Sequence, residues 1–285
     1  MKIWRVIDLI EWTTKYFKHQ NIHNARLDAE LLLGHVLEKS RLQLYLSFDM
    51  PVFEERLSEF RGLIKRRAAH TPVSYLTNEK EFMSIAFYVD SRVLIPRPET
   101  EILVETILRQ QSGKCRVMDM GTGSGAIAVS LAFKHPDWEI AATDMFADAL
   151  DVARKNACIH GCTERITFLQ GDLFAPVEPL EDYRFDWIAS NPPYVSAIDF
   201  PMLPPEIRDY EPKSALTGGC DGLSIIRRII AGAPQFLNPN GRLILEIGDN
   251  QSGKVQDLVH SNPAYNECQM IVDYSGRERV IVASL

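Results

Sequence analysis

Val117-Met118-Asp119-Met120-Gly121-Thr122-Gly123-Ser124-Gly125-Ala126 decides the fold of this 285-residue chain. The stretch leaves a strand and opens a helix, with three glycines in the turn between them. Glycine lets the backbone turn sharply and approach a ligand without a Cβ in the way. From Arg116 onward, apolar runs of strand length alternate with helical patterns, the signature of a parallel sheet. Strands are expected at 116–120, 139–143, 166–170, 185–190, 242–247, 267–273 and 279–284. The last two form a closing pair joined by Tyr274-Ser275-Gly276-Arg277. On spacing alone the glycine turn also fits the dinucleotide fingerprint G-x-G-x-x-A. Asp119, two residues before Gly121, favours a different ligand, because a carboxylate there would repel a pyrophosphate but pair with an ammonium.

The other sheet ends carry matching signals. Phe185-Asp186-Trp187-Ile188-Ala189-Ser190 reads as a buried strand, and Asn191-Pro192-Pro193-Tyr194 ends it. Two successive prolines allow no helix to follow directly, and Asn191, preceding a proline, is held extended. This makes a stiff turn at the carboxyl end of a strand, where open α/β sheets bind ligands. It offers an Asn amide, carbonyls and an aromatic ring, which suits a planar amine. A strand-ending turn with an incidental tyrosine is the plainer reading of these four residues taken alone. Asp144 ends the second strand, where a carboxylate can accept from both ribose hydroxyls. Asp172 follows the third strand, placed to accept from an adenine amino group, with Leu173 packing on the ring. Each aspartate singly could equally cap a helix or sit in a turn. Together, three acids and Asn191 at the ends of four successive strands describe sites for an amino acid, a ribose and an adenine, the parts of S-adenosylmethionine.

Upstream, the chain changes character. Residues 1–71 read as a small helical bundle without strands. The first seventeen residues, with Asp8 and Glu11 among apolar positions, fit an amphipathic helix and not a signal peptide. Residues 24–39 place Leu27, Leu31, Leu32, Val36 and Leu37 on one face, and Phe53, Leu57, Phe60 and Ile64 repeat the spacing before Pro72. Residues 82–89 read as part of a β-hairpin linker. The expected domains are therefore a helical domain over 1–74, a hairpin linker over 75–95 and an α/β domain over 96–285. A helix is expected over 99–109, with Glu99 and Glu101 in its first turn. The stretch 195–222, rich in Pro and Gly, reads as a long loop that could fold over a substrate.

Composition narrows the class. Hydrophobic residues make up 46% and charged residues 24% of the chain, an ordinary soluble mixture. No apolar run approaches the roughly 18 residues of a membrane helix. The five cysteines lack paired spacing, and Cys158, His160 and Cys162 have no second ligand pair, so reduced thiols in a cytoplasmic protein are expected rather than a metal site. Net charge is −7. Residues 1–75 hold 12 Lys+Arg against 9 Asp+Glu, a balance of +3, and the remainder holds 19 against 29, a balance of −10. That argues against a large nucleic-acid surface. Arg56, Arg61, Lys65, Arg66 and Arg67 cluster locally and read as a solvated helix face rather than a docking patch.

The segment from Asp119 to Gly125, together with Asp144, Asp172 and the Asn-Pro-Pro-Tyr tetrad, resembles the class I methyltransferases, in the branch acting on amide or exocyclic amine nitrogens. Leu27-Asp28-Ala29-Glu30-Leu31-Leu32-Leu33, Ile95-Pro96-Arg97-Pro98-Glu99-Thr100-Glu101, Glu211-Pro212 with Asp221-Gly222-Leu223, and Asp273-Tyr274-Ser275-Gly276-Arg277-Glu278-Arg279-Val280 narrow it further. Over nearly its whole length the chain resembles the peptide chain release factor glutamine methyltransferase family. The resemblance implies a seven-stranded Rossmann-like sheet. It implies methyl transfer from S-adenosylmethionine to the glutamine of the Gly-Gly-Gln loop in class I release factors. Asp119, Gly121, Thr122, Gly123, Ser124, Gly125, Asp144, Asp172, Leu173 and Asn191 would then bind the cofactor. Asn191, Pro192, Pro193 and Tyr194 would hold the glutamine, with Asn191, Pro192 and Tyr194 acting in catalysis. A cytoplasmic monomer is expected, acting on a protein and needing neither metal nor membrane.

Methylation of a ribosomal-protein glutamine, or of adenine in nucleic acid, would use the same tetrad. The acidic balance and the lack of a large basic recognition domain weigh against nucleic acid. A non-catalytic cofactor-binding module would leave Asn191 dispensable, and a nicotinamide oxidoreductase would require dinucleotide binding.

Overall fold

Chain segments with helical spacing at one end and strand spacing at the other sort into two compact units. The computed structural model describes residues 4–180 and 183–285. One unit joins Met1–Glu79 with Pro204–Tyr210, and the other joins Lys80–Leu203 with Glu211–Leu285.

The first unit contains β1 (Trp4–Arg5), α1 (Val6–His19), α2 (Ala25–Leu37), α3 (Arg41–Tyr45), β2 (Pro51–Val52), α4 (Glu54–Ala68) and α5 (Val73–Thr77). The first three residues expected in the opening helix lie outside the described residues. On α1, Val6, Leu9, Ile10, Thr13 and Phe17 form the buried stripe, the 3.6-residue period of an amphipathic helix. The strand-free expectation is corrected by the short antiparallel pairing of β1 with β2, two residues each and too brief to show a period. The buried face of α2 also differs from the expected leucine stripe. Leu27 and Leu31 are each 38% exposed, while Asp28, Ala29, Leu32, Leu33 and Val36 are buried. Polar pairing lets acids take these interior places. Arg67 Nε donates to Asp28 Oδ2 at 2.7 Å, and Glu30 accepts from Arg26, Arg41 and Tyr45 at 2.7–3.0 Å. Arg67 is therefore buried and not part of a solvated face. Phe53, expected in the core stripe, precedes α4 and is 76% exposed.

The second unit begins at Lys80, within a hairpin of β3 (Glu79–Phe82) and β4 (Ile85–Tyr88). It is no loose linker: Phe82 and Phe87 sit in the same core cluster as the central sheet. Asn156 bonds the backbone of Tyr88 in both directions, at 2.7 and 2.9 Å, and donates to the Ser124 carbonyl at 2.8 Å. A 3₁₀ turn, Pro98–Thr100, then leads into α6 (Glu101–Gln110), so the helix expected from 99 begins two residues later. Next come β5 (Arg116–Met120), α7 (Ala126–Lys134), β6 (Glu139–Asp144), α8 (Ala147–Ile159), β7 (Ile166–Gln170) and β8 (Phe185–Ser190). They are followed by α9 (Pro205–Arg208), α10 (Ser224–Gly232), β9 (Leu237–Glu246), α11 (Ser252–His260), β10 (Glu267–Val272) and β11 (Glu278–Ser284). β9 starts five residues before the expected strand, through an irregular register that pairs Phe185 with Leu237 and Trp187 with Arg242.

Seven strands form one sheet in the order β10-β11-β9-β8-β5-β6-β7. All pairings from β9 to β7 are parallel, and β11 runs antiparallel to both β9 and β10. Alternation along the strands fills two cores. Val117, Trp187 and Ala189 face α6 and α7, while Met118, Met120 and Ile188 face α10 and α11. Burial on both faces is what a parallel sheet requires. Strand order reverses beside β5, so the carboxyl ends of β5 and β8, paired at Met120 and Ser190, define the switch point where ligands bind.

The stretch 195–222 is not an open loop. Val195 bridges Thr217, its N–H donates to the Leu216 carbonyl at 2.9 Å, and the Gly218 N–H donates back to its carbonyl at 2.9 Å. Within it, α9 belongs to the first unit: Arg67 Nη2 donates to Glu206 Oε2 at 2.6 Å, and Tyr210 Oη donates to the Ala69 carbonyl. Among the described residues, no helix is long and apolar enough to cross a membrane.

Candidate active site

Register alignment brings four strand ends together. Met120 lies beside Thr143 and Ser190, and Asp144 beside Gln170. The segments that leave these ends surround a cavity of about 260 Å³ lined by Gly121–Ser124, Asp144, Asp172, Leu173, Asn191 and Pro193. Further walls come from Arg92–Leu94, Pro96, Arg97 and Thr100, which sequence reasoning did not assign to the site, and from Pro212, Ser214, Ala215 and Thr217, within the stretch expected to fold over a substrate.

The glycine turn is built to approach a ligand. Gly121 and Gly123 have φ of +71° and +55°, where other residues are strained, and a Cβ at either would point into open space. Asp144 braces this turn from the next strand: its Oδ2 accepts from Gly123 N–H at 2.9 Å and its Oδ1 from Phe146 N–H at 3.0 Å. Burial pushes the Asp144 carboxyl above its ordinary value, and these backbone donors pull it back. Each oxygen keeps a lone pair for a ligand. Asp172 lies on the wall with Oδ2 taken by Arg228 at 2.5 Å. Leu173 reaches the wall through a left-handed backbone, φ +50°, unusual for a branched side chain and a form of strain found at functional sites.

Asp119 is elsewhere. It points to the α7 face of the sheet, fully buried, and is not part of the cavity wall. Thr122 Oγ1 and Ala128 N–H both donate to its Oδ2, at 2.6 and 3.0 Å, while Oδ1 has no hydrogen-bond partner among the described residues. Asp119, expected to meet an ammonium, lies off the cavity wall and holds the glycine turn and the start of α7 from behind. Burial raises its carboxyl to about 7. Between about pH 4 and 7 the folded chain holds a proton that the unfolded chain has lost, so stability falls as pH rises through that window. Asp119→Asn, which keeps the shape and cannot ionise, removes this dependence. Urea unfolding at pH 5.5 and pH 8 should show the wild type losing about 2 kcal/mol more than the variant.

The tetrad is held from two sides. Asn191 Nδ2 donates to Thr100 Oγ1 at 3.0 Å, Thr100 Oγ1 donates to Glu246 Oε2 at 2.5 Å, and Tyr194 Oη donates to Glu246 Oε1 at 3.1 Å. Glu246 is fully buried, which raises its carboxyl, and the two hydroxyls and the charge of Arg279 oppose that shift. Burial also raises the Tyr194 phenol, and the Glu246 charge raises it further. On the other side, Gln251 Nε2 donates to the Tyr194 carbonyl at 2.9 Å. The Pro193 carbonyl lies against Gly218, where a Cβ would come within 2.4 Å. Neither Asn191 Oδ1 nor the Pro192 carbonyl accepts a hydrogen bond from a described residue. Tyr194 and Pro192 are not on the cavity wall, and the Tyr194 ring packs against the core beneath α10 and α11. Sequence reasoning missed Thr100 and Glu246. An acid in the middle of Leu243-Ile244-Leu245-Glu246-Ile247 was the available signal.

Known proteins resemble the chain in both units. The family model for the PrmC N-terminal domain matches residues 8–77, and that for the methyltransferase small domain matches residues 98–201. A release factor glutamine methyltransferase of Rhodopirellula baltica is 42% identical over 284 residues, covering 98% of this chain and 95% of that protein. One from Geobacter sulfurreducens is 41% identical, covering 98% and 96%. Among solved structures, a methyltransferase from Pyrococcus furiosus superposes with a TM-score of 0.53 at 16% identity, covering 81% of this chain and 98% of that one, a likeness of fold.

Proposed function

The chain belongs to the release factor glutamine methyltransferase family, and from that premise we propose that it methylates the side-chain amide nitrogen of the glutamine in the Gly-Gly-Gln loop of class I release factors, using S-adenosylmethionine. The observation that carries this reading is Asn191 on the wall of a cavity with a glycine-turn floor, its Oδ1 accepting from no described residue, followed in the chain by the Pro192 carbonyl, which accepts from none either.

The residues present fit the cofactor. Gly121 and Gly123 leave room where a Cβ would project, in a turn held in place because Gly121 and Thr122 N–H donate to the Thr143 carbonyl and Gly123 N–H donates to Asp144. Asp144 supplies carboxylate oxygens for the ribose hydroxyls, Leu173 an apolar surface for the adenine, and the free side of Asp172 an acceptor. When bound, the cofactor supplies an electrophilic methyl on a sulfonium. If Asp144 clamps the ribose, Asp144→Ala weakens S-adenosylmethionine binding by about 1.5–3 kcal/mol, the range for hydrogen bonds to charged groups, measured by calorimetry.

An amide nitrogen is a poor nucleophile, because its lone pair is delocalised into the carbonyl. As it attacks, the nitrogen becomes positive. Asn191 Oδ1 and the Pro192 carbonyl accept from its two N–H groups and stabilise that charge as it develops, the inverse of an oxyanion hole. Holding the amide in line with the methyl supplies on the order of 7–11 kcal/mol through positioning. Tyr194, anchored through its hydroxyl, stiffens the end of the turn. The proton leaves to water after transfer. The helical unit, residues 1–74 with α9, is read as the recognition surface for the protein partner.

The test offers labelled cofactor to the protein with a release factor whose loop glutamine is intact or changed to glutamate, alongside plasmid DNA. Label is expected only on the intact release factor. Label on the DNA, or equally on the glutamate form, overturns the assignment.

A further inference from the structure

We propose that Thr100 and Glu246 are positioning residues that set which end of the Asn191 side-chain amide faces the substrate. The inference rests on the reading of Asn191 as an acceptor for the substrate amide.

A hydroxyl has one proton. Thr100 gives its proton to Glu246 Oε2, so toward Asn191 it can only accept. That forces Nδ2 of Asn191 against Thr100 and leaves Oδ1 on the opposite side of the amide. The order of donors is set by Glu246, which takes one hydroxyl on each oxygen, Thr100 on one and Tyr194 on the other. One buried group therefore orders both ends of the Asn191–Tyr194 turn. Its location supports this role. Glu246 stands between Leu245 and Ile247, both fully buried, in a strand where an apolar residue would fill the space without desolvating a charge. The lone pairs of the carboxylate are used on groups that touch the tetrad rather than on the sheet.

Were the chain of donors broken, Asn191 could turn over at little steric cost, since its amide ends are nearly the same size. Its NH₂ would then meet the NH₂ of a substrate glutamine, two donors facing each other. The result is loss of rate with the pocket's shape kept.

Three variants separate orientation from packing. Thr100→Val keeps the shape and removes the hydroxyl. Thr100→Ser keeps the hydroxyl. Glu246→Gln replaces one acceptor oxygen by a donor, so one of the two hydroxyls must reverse. Thr100→Val and Glu246→Gln are expected to lower kcat on the release factor at least tenfold with KM changed less than threefold, and Thr100→Ser to stay within threefold of wild type in both. Wild-type kcat in Thr100→Val overturns the proposal, as does equal loss in Thr100→Ser. A second readout is independent of the substrate. The Asn191 side-chain amide protons, identified in a ¹⁵N spectrum by their loss in Asn191→Asp, are expected to exchange slowly with solvent in wild type and Thr100→Ser and faster in Thr100→Val. Equal exchange in all three overturns the proposal. If wild type leaves the release factor unlabelled, the functional reading fails, and the exchange measurement alone decides the orienting role.

Discussion

Asn191→Ala lowers turnover by on the order of a hundredfold or more, the loss seen when one preorganised partner of a developing charge is removed. The alanine keeps the backbone turn, which is set by the two prolines and by the bonds of Val195 and Gln251 to the main chain. What goes is Oδ1, the acceptor of a side chain that Thr100 already holds through Nδ2. Affinity for S-adenosylmethionine is expected to fall by less than turnover, since the glycine turn, Asp144 and Leu173 remain. Single-turnover rates set beside calorimetric Kd values check this. A variant with near-normal turnover removes Asn191 from the chemistry and favours a cofactor-binding module.

Gly222→Ala damages the same turn from behind. Its φ is +76°, where an L side chain costs roughly 1–2 kcal/mol. The added Cβ would lie 2.2 Å from the Tyr194 carbonyl oxygen and 2.7 Å from Gln251 Nε2, the pair whose hydrogen bond closes the tetrad. Backbone cannot rotate aside as a flexible side chain does, so the overlap adds about 1–3 kcal/mol of packing strain. The variant is expected to be about 2–5 kcal/mol less stable than wild type, by urea denaturation. What folds should have lost most of its methyl transfer, because relief of the clash moves Tyr194. Wild-type stability and rate together would show that the 218–222 turn does not hold the tetrad.

How much of this was legible beforehand depends on the range of the interaction. The seven strands were readable because a sheet buried on both faces writes continuous apolar runs. Gly121, Asp144 and Asn191 were readable because each sits where a strand ends. The functions of Asp119 and Glu246 were not, since both depend on which face of the sheet a side chain takes and on what packs there. Asp119 carries the expected spacing to the first glycine, yet one step of the pleat turns it toward α7 and away from the cavity. Glu246 has its partners at Thr100, 146 residues away, and Tyr194, 52 away, separations that no local pattern records. The α2 stripe was misplaced for a related reason. Asp28 and Glu30 look like solvent positions until Arg67 and Arg41 are folded against them.

The segment 204–210 bears on how such a protein can be recombined. Because α9 belongs with the helical residues, the backbone leaves the α/β unit just after the tetrad and comes back at Glu211. An N-terminal cassette of the first 79 residues, spliced onto another methyltransferase, would strand Arg67 without Glu206 and leave the Ala69 carbonyl without Tyr210. A working chimera needs two crossover points, with the short second insert travelling alongside the first. Homologous exchange that respects only the order of the sequence would break this pairing, so the two segments are expected to be inherited as one linked allele.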